Sequence, residues 1–290
     1  MVSSVAMSVN LISVVQLGTV DYAIGLDLQR RLVELRKEGR IGDVLLLLEH
    51  TPVITLGRNA KPKNILASPE SLAERGVEVF ETDRGGDVTF HGPGQIVGYP
   101  IFDLRGFASH DGKRKTLGAI EFVRRLEEVL IRTCAEFGIA AQRIGGLTGV
   151  WTTKGTSTSE DRSQANDPAA PGMTEEKEAK IAAIGVHISG GVTSHGFALN
   201  VNTDLSYFKL IIPCGIESKP VTSIERELGR QVALQDVAHA ISRNFGVVFE
   251  SQMLWLENLD SLVRPALGVP MKPPDQLRKI HEEGEEDAWA

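Results

Sequence analysis

Apolar residues recur at steps of three and four along three stretches of the chain, a spacing that places them on one face of a helix. The three stretches are residues 21–39, 116–137 and 234–244. The first has Asp21 as a possible N-cap and Gly39 as a possible end. The apolar face predicted for the second consists of Ile120, Val123, Leu126, Leu130, Cys134 and Phe137. We therefore expect three long helices.

Short apolar runs bounded by turn residues predict the strands. They lie at residues 43–49, 52–57, 77–81, 87–91, 147–151, 181–188, 197–201 and 247–250. A shorter helix is expected to begin at Ser68-Pro69, because serine caps helices and proline suits their first position. Strands outnumber helices and follow no regular alternation. The pattern favours an α/β (α+β) domain with a mixed β-sheet flanked by helices over a doubly wound Rossmann sheet.

Two segments lack the apolar residues that a core needs. Residues 152–179 are rich in serine, threonine, proline and charge, and we expect a flexible insertion there. Residues 256–290 contain scattered prolines and an acidic run, and we expect a C-terminal tail. The predicted catalytic domain therefore spans residues 12–255, and the sequence leaves open whether translation starts at Met1 or Met7.

Charge and hydropathy exclude some classes of protein. The chain has 31 Lys and Arg against 38 Asp and Glu, a formal net charge of −7, which argues against a general nucleic-acid binder. Its longest aliphatic run, residues 44–48, is far shorter than a membrane span. No lysine or arginine precedes Arg30, so no secretory signal is recognisable. We expect a cytoplasmic protein that binds neither nucleic acid nor membrane.

The two cysteines differ in context. Cys134 lies on the apolar face of a predicted helix and is expected to be a core residue. Cys214 lies between Pro213 and Gly215, a turn that can present a thiol at a surface. From the residues alone, Cys214 is equally well explained as a nucleophile or as a buried loop thiol. A nucleophilic thiol needs a nearby cation or base; the candidates are Lys180, His91, His187 and His195.

Small residues suggest where a ligand could lie. Ala183 and Gly185 alternate along one predicted strand, and Gly196 and Ala198 along another. Such positions either leave a slot for a slender apolar ligand or permit close strand packing. No nucleotide-binding glycine fingerprint and no metal-ligand spacing occurs. We therefore expect no metal and no cofactor.

Five sequence blocks are similar to the signature of the lipoyl(octanoyl) transferases. They are residues 84–95 (RGGDVTFHGPGQ), 149–151, 180–185, 195–202 and 213–216. The blocks occur in the order of the family and extend over about residues 12–250. The resemblance implies the α/β catalytic domain of biotin and lipoate protein ligases.

The resemblance also implies an activity. The enzyme would transfer octanoyl from the phosphopantetheine of acyl carrier protein to a lysine of lipoyl domains, in 2-oxoacid dehydrogenase complexes and the glycine cleavage H protein, as the first step of lipoate biosynthesis. Cys214 would carry the acyl thioester, and Lys180 would favour its thiolate and relay protons. The substrate-lining residues would be Arg84, Gly85, Gly86, Asp87, Val88, Thr89, Phe90, His91, Ala183, Ile184, Gly185, Gly196, Phe197 and Ala198.

Three other functions stay open at this point. They are an ATP-dependent lipoate or biotin protein ligase, a non-catalytic module that binds acyl carriers, and a thioesterase. If the partners are acidic, this acidic chain needs local positive charge near the thiol. We expect a basic patch formed by Arg84, Arg143 and the lysines and arginine of residues 113–115.

Overall fold

A computed structural model describes residues 10–109, 116–153, 178–216 and 219–263. The strands are β1 (Asn10–Val20), β2 (Asp43–His50), β3 (Val53–Leu56), β4 (Glu78–Glu81), β5 (Val88–His91), β6 (Gln95–Ile101), β7 (Ala141–Ile144), β8 (Leu147–Thr152), β9 (Lys180–Ser189), β10 (Val192–Asn200) and β11 (Ser251–Leu256). The α-helices are α1 (Tyr22–Lys37), α2 (Pro69–Glu74), α3 (Ala119–Glu136), α4 (Ile224–Leu228), α5 (Leu234–Val248) and α6 (Asp260–Val263).

Eight strands form one mixed sheet in the order β11-β1-β2-β6-β10-β9-β8-β7. Strand β1 runs parallel to both of its neighbours, and the other pairs are antiparallel. A second sheet has the order β4-β3-β5. The predicted fold class, a mixed sheet flanked by helices, is confirmed.

Helices cover the large sheet on both faces. Side chains of α3 and α5 join one apolar cluster with the sheet, and this cluster includes Phe102, Phe122 and Phe245. Leu28, Leu32 and other residues of α1 belong to a second cluster. Burial of these side chains, at about 25 cal/mol per Å² of apolar surface, is the main force that holds the layers together.

The predicted long helices are confirmed, with corrections in detail. Asp21 caps α1 by accepting a hydrogen bond from the backbone N–H of Ala23 at 2.8 Å. Helix α3 buries Cys134 as predicted, and burial raises the pKa of this thiol to about 12. Ile120, however, is 82% exposed, because it lies in the first turn of α3, where the buried face is formed by Phe122.

The strand prediction was incomplete. Strands β1, β6 and β7 were missed. Both β1 and β6 bury apolar side chains on the two faces of the sheet, so they lack a period of two. Strand β7 has only four residues, and none of them is fully buried. The strand predicted at residues 247–250 is wrong. Val247 and Val248 end helix α5, Glu250 reverses the chain with φ 51°, and the strand follows at β11.

The predicted insertion and tail fall mostly outside the described residues. The first and last residues of the predicted insertion are hydrogen-bonded to each other: the N–H of Thr152 donates to the carbonyl of Ala179 at 2.8 Å. Residues 154–177 between them are not described. In the predicted tail, Leu259 and Leu262 are buried in the α1 cluster, so the packed part of the chain reaches beyond residue 256. Residues 264–290 are not described. Within the described ranges, no helix combines the length and hydropathy needed to cross a membrane.

Candidate active site

Cys214 occupies a single helical turn, Pro213–Gly215, that is fastened to the segment around Asn64. The N–H of Ile212 donates to the carbonyl of Asn64 at 2.7 Å, and the N–H of Leu66 donates to the carbonyl of Leu210 at 2.8 Å. Cys214 itself adopts the left-handed conformation, with φ 55°. This conformation is uncommon for a residue with a side chain, and here it leaves the thiol half-buried.

Lys180 begins strand β9, and the segment 220–222 holds its backbone. Its N–H donates to the carbonyl of Pro220 at 2.8 Å, and its carbonyl accepts from Thr222 at 2.9 Å. The side chain points at Cys214, with Nζ 3.2 Å from Sγ. The structure thus brings together two residues that lie 34 positions apart in the sequence.

The ammonium of Lys180 is buried, with 6% of the residue exposed. Nζ lies 4.7 Å from the centre of the Trp151 ring. Gly149 lies against the same side chain: a Cβ added there would be 3.3 Å from Cε and 3.6 Å from Nζ of Lys180. Gly149 also has φ 120°, which favours glycine, so both its conformation and its lack of a side chain suit this position.

A cavity extends from Cys214 over the face of the large sheet. Its lining consists of Tyr22, Arg84, Gly86, Asp87, Thr89, His91, Val97, Tyr99, Ala183, Ile184, Gly185, His195, Gly196, Phe197, Ala198 and Cys214. Val97, Ala198 and Ala183 sit side by side on β6, β10 and β9. Their small or medium side chains make an apolar floor beside the thiol.

The glycines of the floor serve close packing as well. A Cβ on Gly185 would lie 2.5 Å from the carbonyl oxygen of Gly85, and one on Gly196 would lie 2.6 Å from Cδ of Pro100. Contacts under 3.0 Å are sterically excluded for a Cβ, so any side chain would push apart the backbone around the cavity. Gly185 and Gly196 thus line the cavity and also permit close packing of the backbone around it.

Arg84 lines the cavity from the 84–88 loop, which we call the roof of the cavity. Its guanidinium donates to Oγ1 and the carbonyl oxygen of Thr55 at 3.0 and 2.6 Å, to the carbonyl of Asp87 at 2.6 Å and to that of Gly85 at 3.0 Å. Burial lowers the pKa of Arg84. Because carbonyl groups occupy its donors, this arginine fixes the shape of the 84–88 loop.

The predicted substrate-lining residues divide into two groups. Eleven of the fourteen line the cavity: Arg84, Gly86, Asp87, Thr89, His91, Ala183, Ile184, Gly185, Gly196, Phe197 and Ala198. The other three do not. Val88 and Phe90 point into a separate apolar cluster, as alternation along β5 requires, and the N–H of Gly85 donates to the carbonyl of Val186 at 3.1 Å.

Three aromatic or aliphatic lining residues were missed: Tyr22, Val97 and Tyr99. Tyr99 contacts His50, whose Nε2 lies 2.6 Å from the hydroxyl. Nδ1 of His50 must donate to the carbonyl of Val20 at 2.7 Å, so Nε2 accepts from Tyr99. Val97 and Tyr99 lie on β6, which was not recognised as a strand, and Tyr22 begins helix α1, where no motif singled it out.

The three histidines considered as helpers of Cys214 have other partners. Nδ1 of His91 lies 2.7 Å from Oε1 of Gln95, and burial lowers the pKa of His91 to about 3. Nε2 of His195 lies 2.7 Å from Oδ1 of Asp83. Nε2 of His187 lies 3.7 Å from Oδ2 of the same aspartate. In the described part of the chain, only Lys180 contacts the thiol through a hydrogen bond.

Neither arginine of the predicted basic patch presents an uncompensated charge at the surface, although Arg84 interacts electrostatically with Cys214. Arg84 is buried with 7% exposed and donates inward. Arg143 forms ion pairs with Glu127 at 3.1 Å and Glu128 at 2.8 Å, so its charge is compensated. Residues 113–115 lie outside the described residues.

Comparison with known proteins places these features in a family. The model of the lipoyl protein ligase A/B catalytic domain matches residues 21–246. The chain is 56% identical over 273 residues to an octanoyltransferase of Koribacter versatilis (strain Ellin345), covering 94% of this chain and 98% of the relative. The chain belongs to this family. It is a transferase enzyme, as the curated octanoyltransferases among its relatives establish.

Further members of the family support the assignment. An octanoyltransferase of Acidobacterium capsulatum is 57% identical over 254 residues, which cover 87% of this chain and 96% of the relative. Among solved structures, a bipartite lipoate protein ligase of Thermoplasma acidophilum has TM-score 0.56 at 13% identity, covering 96% of this chain and 92% of that one. A lipoate-protein ligase A bound with ATP also has TM-score 0.56, at 14% identity, covering 95% and 94%. These structural similarities confirm the predicted fold.

Proposed function

We propose that this chain transfers an octanoyl group from acyl carrier protein to a lysine of lipoyl domains, through an acyl thioester on Cys214. The observation that carries the proposal is the 3.2 Å contact between Lys180 Nζ and Cys214 Sγ at an apolar cavity. Further support comes from the octanoyltransferases among its relatives. The similar lipoate protein ligase of Thermoplasma acidophilum was studied together with its E2 lipoyl domain.

The first half-reaction forms the acyl-enzyme. The thiolate of Cys214 attacks the carbonyl carbon of the donor thioester, a new C–S bond forms, and the bond to the donor sulfur breaks. The ammonium of Lys180 stabilises the thiolate and gives its proton to the departing donor thiolate. Cys214 then carries the acyl group, and Lys180 is left neutral beside it.

The second half-reaction transfers the acyl group to an amine. The amine of the lipoyl-domain lysine attacks the thioester carbonyl, a C–N bond forms, and the bond to Sγ breaks. Neutral Lys180 takes the proton that the amine loses, which restores the starting ion pair. Because the donor thioester is already activated, the reaction needs no nucleotide, and we propose no cofactor.

The cavity suits the acyl chain. Its floor of Val97, Ala183 and Ala198 is apolar, and burying the seven carbons beyond the carbonyl contributes about 6 kcal/mol of gross binding, at ~0.8 kcal/mol for each carbon. Cys214 lines the same cavity, so an acyl group on the sulfur can extend over this floor.

Mass spectrometry tests the covalent step. The protein is incubated with octanoyl-acyl carrier protein, and an octanoyl adduct is expected on Cys214 and absent from Cys214→Ala. Cys134→Ala is the matched control and keeps the adduct, since Cys134 is buried in the core. Addition of a lipoyl domain discharges the adduct. Transfer by Cys214→Ala at the wild-type rate would disprove the covalent route.

The alternatives give different products in the same assay. A thioesterase releases free octanoate even when the lipoyl domain is present. A protein ligase uses free octanoate only with ATP. A non-catalytic module binds the carrier without turnover. We expect octanoyl-lysine on the lipoyl domain without ATP.

A further inference from the structure

Lys180 is buried, and no carboxylate of the described residues forms an ion pair with its ammonium. In the ranges that the structure describes, each of the other lysine and arginine side chains either is more exposed, forms an ion pair, or, like Arg84, donates to several carbonyl groups. A buried charge without compensation is costly. For Lys180 to act as an ammonium, a neighbouring group has to stabilise its charge.

Among the residues that the structure describes, two groups near Nζ can do so. One is Sγ of Cys214 at 3.2 Å, which compensates the charge only when it is a thiolate. The other is the face of Trp151, whose ring centre is 4.7 Å from Nζ. An aromatic face attracts a cation, most strongly for tryptophan and at desolvated sites. Trp151 is 1% exposed, so this site is desolvated.

The second lysine near the same ring does not replace Lys180. Lys219 has its Nζ 5.8 Å from the ring centre, farther than Lys180. Lys219 also pairs with Glu178 at 2.6 Å, so its charge is already compensated. The indole face is thus directed mainly at the uncompensated ammonium of Lys180.

Gly149 lies on β8, the strand that carries Trp151, and it also borders the side chain of Lys180. A Cβ added at Gly149 would lie 3.3 Å from Cε and 3.6 Å from Nζ of Lys180, and 2.6 Å from the carbonyl oxygen of Ala182. The N–H of Gly149 donates to Oε1 of the buried Glu127 at 3.2 Å. Both Gly149 and Trp151 border the same lysine side chain, since the Trp151 ring centre lies 4.7 Å from Nζ. The glycine leaves room for the lysine side chain, and the tryptophan faces its charged end.

We infer that Trp151 is a positioning residue of the Lys180–Cys214 pair: its indole face holds the lysine as an ammonium within hydrogen-bond distance of the thiol. The catalytic meaning of this role rests on the proposed function. The role itself concerns the state of the thiol, which can be measured without any acyl transfer.

Fluorinated tryptophan tests the inference without changing the shape of the side chain. In the background Trp255→Phe with Trp289→Phe, Trp151 is replaced by mono-, di- and trifluorotryptophan, which withdraw electron density from the ring face. The measurement is the rate of Cys214 alkylation by iodoacetamide against pH. We expect the rate at neutral pH to fall stepwise, by about tenfold across the series, a factor equal to ~1.4 kcal/mol. A rate independent of fluorination would overturn the inference.

Two controls separate a charge effect from a structural one. In Lys180→Met the alkylation rate is low, and it no longer depends on fluorination. Among ordinary variants, Trp151→Phe keeps most of the wild-type rate, whereas Trp151→Leu shifts the alkylation profile to higher pH. Trp255→Leu is the matched control, because β11 lies six strands from β8 in the sheet, and it leaves the profile unchanged. Identical profiles for Trp151→Phe and Trp151→Leu would contradict the inference.

The outcomes also distinguish this inference from the proposed function. If fluorination changes alkylation but no octanoyl adduct forms on the wild-type protein, the positioning role stands and the proposed reaction fails. If the adduct forms and alkylation ignores fluorination, the reaction stands and the role of Trp151 fails.

Discussion

Individual residues around the cavity act through their hydrogen bonds more than through their charge. Arg84 is the main example, since its guanidinium satisfies three backbone carbonyls and the Thr55 hydroxyl within the cavity roof. In the sequence it looked like a surface cation that could attract an acidic partner. Burial and the four bonds assign it a structural role.

The first prediction concerns this arginine. Arg84→Met leaves buried carbonyls without donors, each loss costing about 1–3 kcal/mol, and we expect the free energy of unfolding to fall by about 3 kcal/mol in total. Urea denaturation measures the change. Arg58→Met is the control on an exposed arginine of the neighbouring turn and is expected to cost under about 0.5 kcal/mol. Equal stabilities of the two variants would show that the Arg84 bonds contribute little.

A second prediction concerns the pair itself. In Lys180→Ala the thiol loses its only hydrogen-bonding cation among the described residues, so alkylation of Cys214 is expected to require higher pH than in the wild type. The pH profile of iodoacetamide alkylation, followed by mass spectrometry, gives the result. Lys37→Ala is the control, because Lys37 contacts Ser189 at the far end of β9. Superimposable profiles of Lys180→Ala and wild type would remove Lys180 from its role.

At the scale of elements, several residues of the site are glycine because atoms of neighbouring segments lie too close for a Cβ. Strand β10 lies between β6 and β9 in the large sheet, and the three strands have glycine at residues 98, 185 and 196. The roof loop reaches the same place, since the carbonyl of Gly85 lies over Gly185. In the sequence, these small residues indicated either a slot for a ligand or close strand packing. The contacts show why close packing requires glycine at these positions.

The third prediction tests this packing. Gly196→Ala places a Cβ 2.6 Å from Pro100 Cδ, within overlap distance, so the strands must separate. Overpacking of this kind costs about 1–3 kcal/mol, and we expect both the melting temperature and the octanoyl-adduct yield to fall. Gly42→Ala is the matched control, because no atom lies within 4 Å of its added Cβ. A wild-type melting temperature for Gly196→Ala would contradict the packing argument.

At the scale of the whole molecule, two buried histidines link stability to pH. Burial lowers the pKa of His50 to about 4 and that of His91 to about 3. In the unfolded chain both titrate near ~6.5. Between these values the unfolded state binds protons that the folded state excludes, so the free energy of unfolding decreases as the pH falls below about 6.5.

The fourth prediction follows from this decrease in the free energy of unfolding at acidic pH. At pH 5 each histidine costs about 2 kcal/mol relative to neutral pH, so the melting temperature is expected to decrease from pH 7 to pH 5. His50→Gln should weaken this dependence, whereas His239→Gln, on the exposed side of α5, should not. Circular dichroism melts across the pH range provide the measurement. A melting temperature that rises on acidification would refute the linkage.

The sequence by itself determined the local features of this protein. The long helices followed from periodicity and caps, the core position of Cys134 from its place on α3, and the family from five motif blocks. These are predictable because capping, helical periodicity and motif chemistry depend on neighbours within a few residues. The same locality explains the errors: β1 and β6 carry no alternating pattern, and the last strand was placed at the end of a helix.

Only the tertiary structure decided how distant residues combine. The 3.2 Å contact of Lys180 and Cys214, the indole face of Trp151 behind the lysine, and the inward turn of Arg84 each join separate parts of the chain. The sequence proposed both Lys180 and Arg84 as cations near the thiol and did not separate their roles. Burial distinguishes them, because a cation removed from water must find carbonyls, an aromatic face or an anion, and the fold determines which of these it meets.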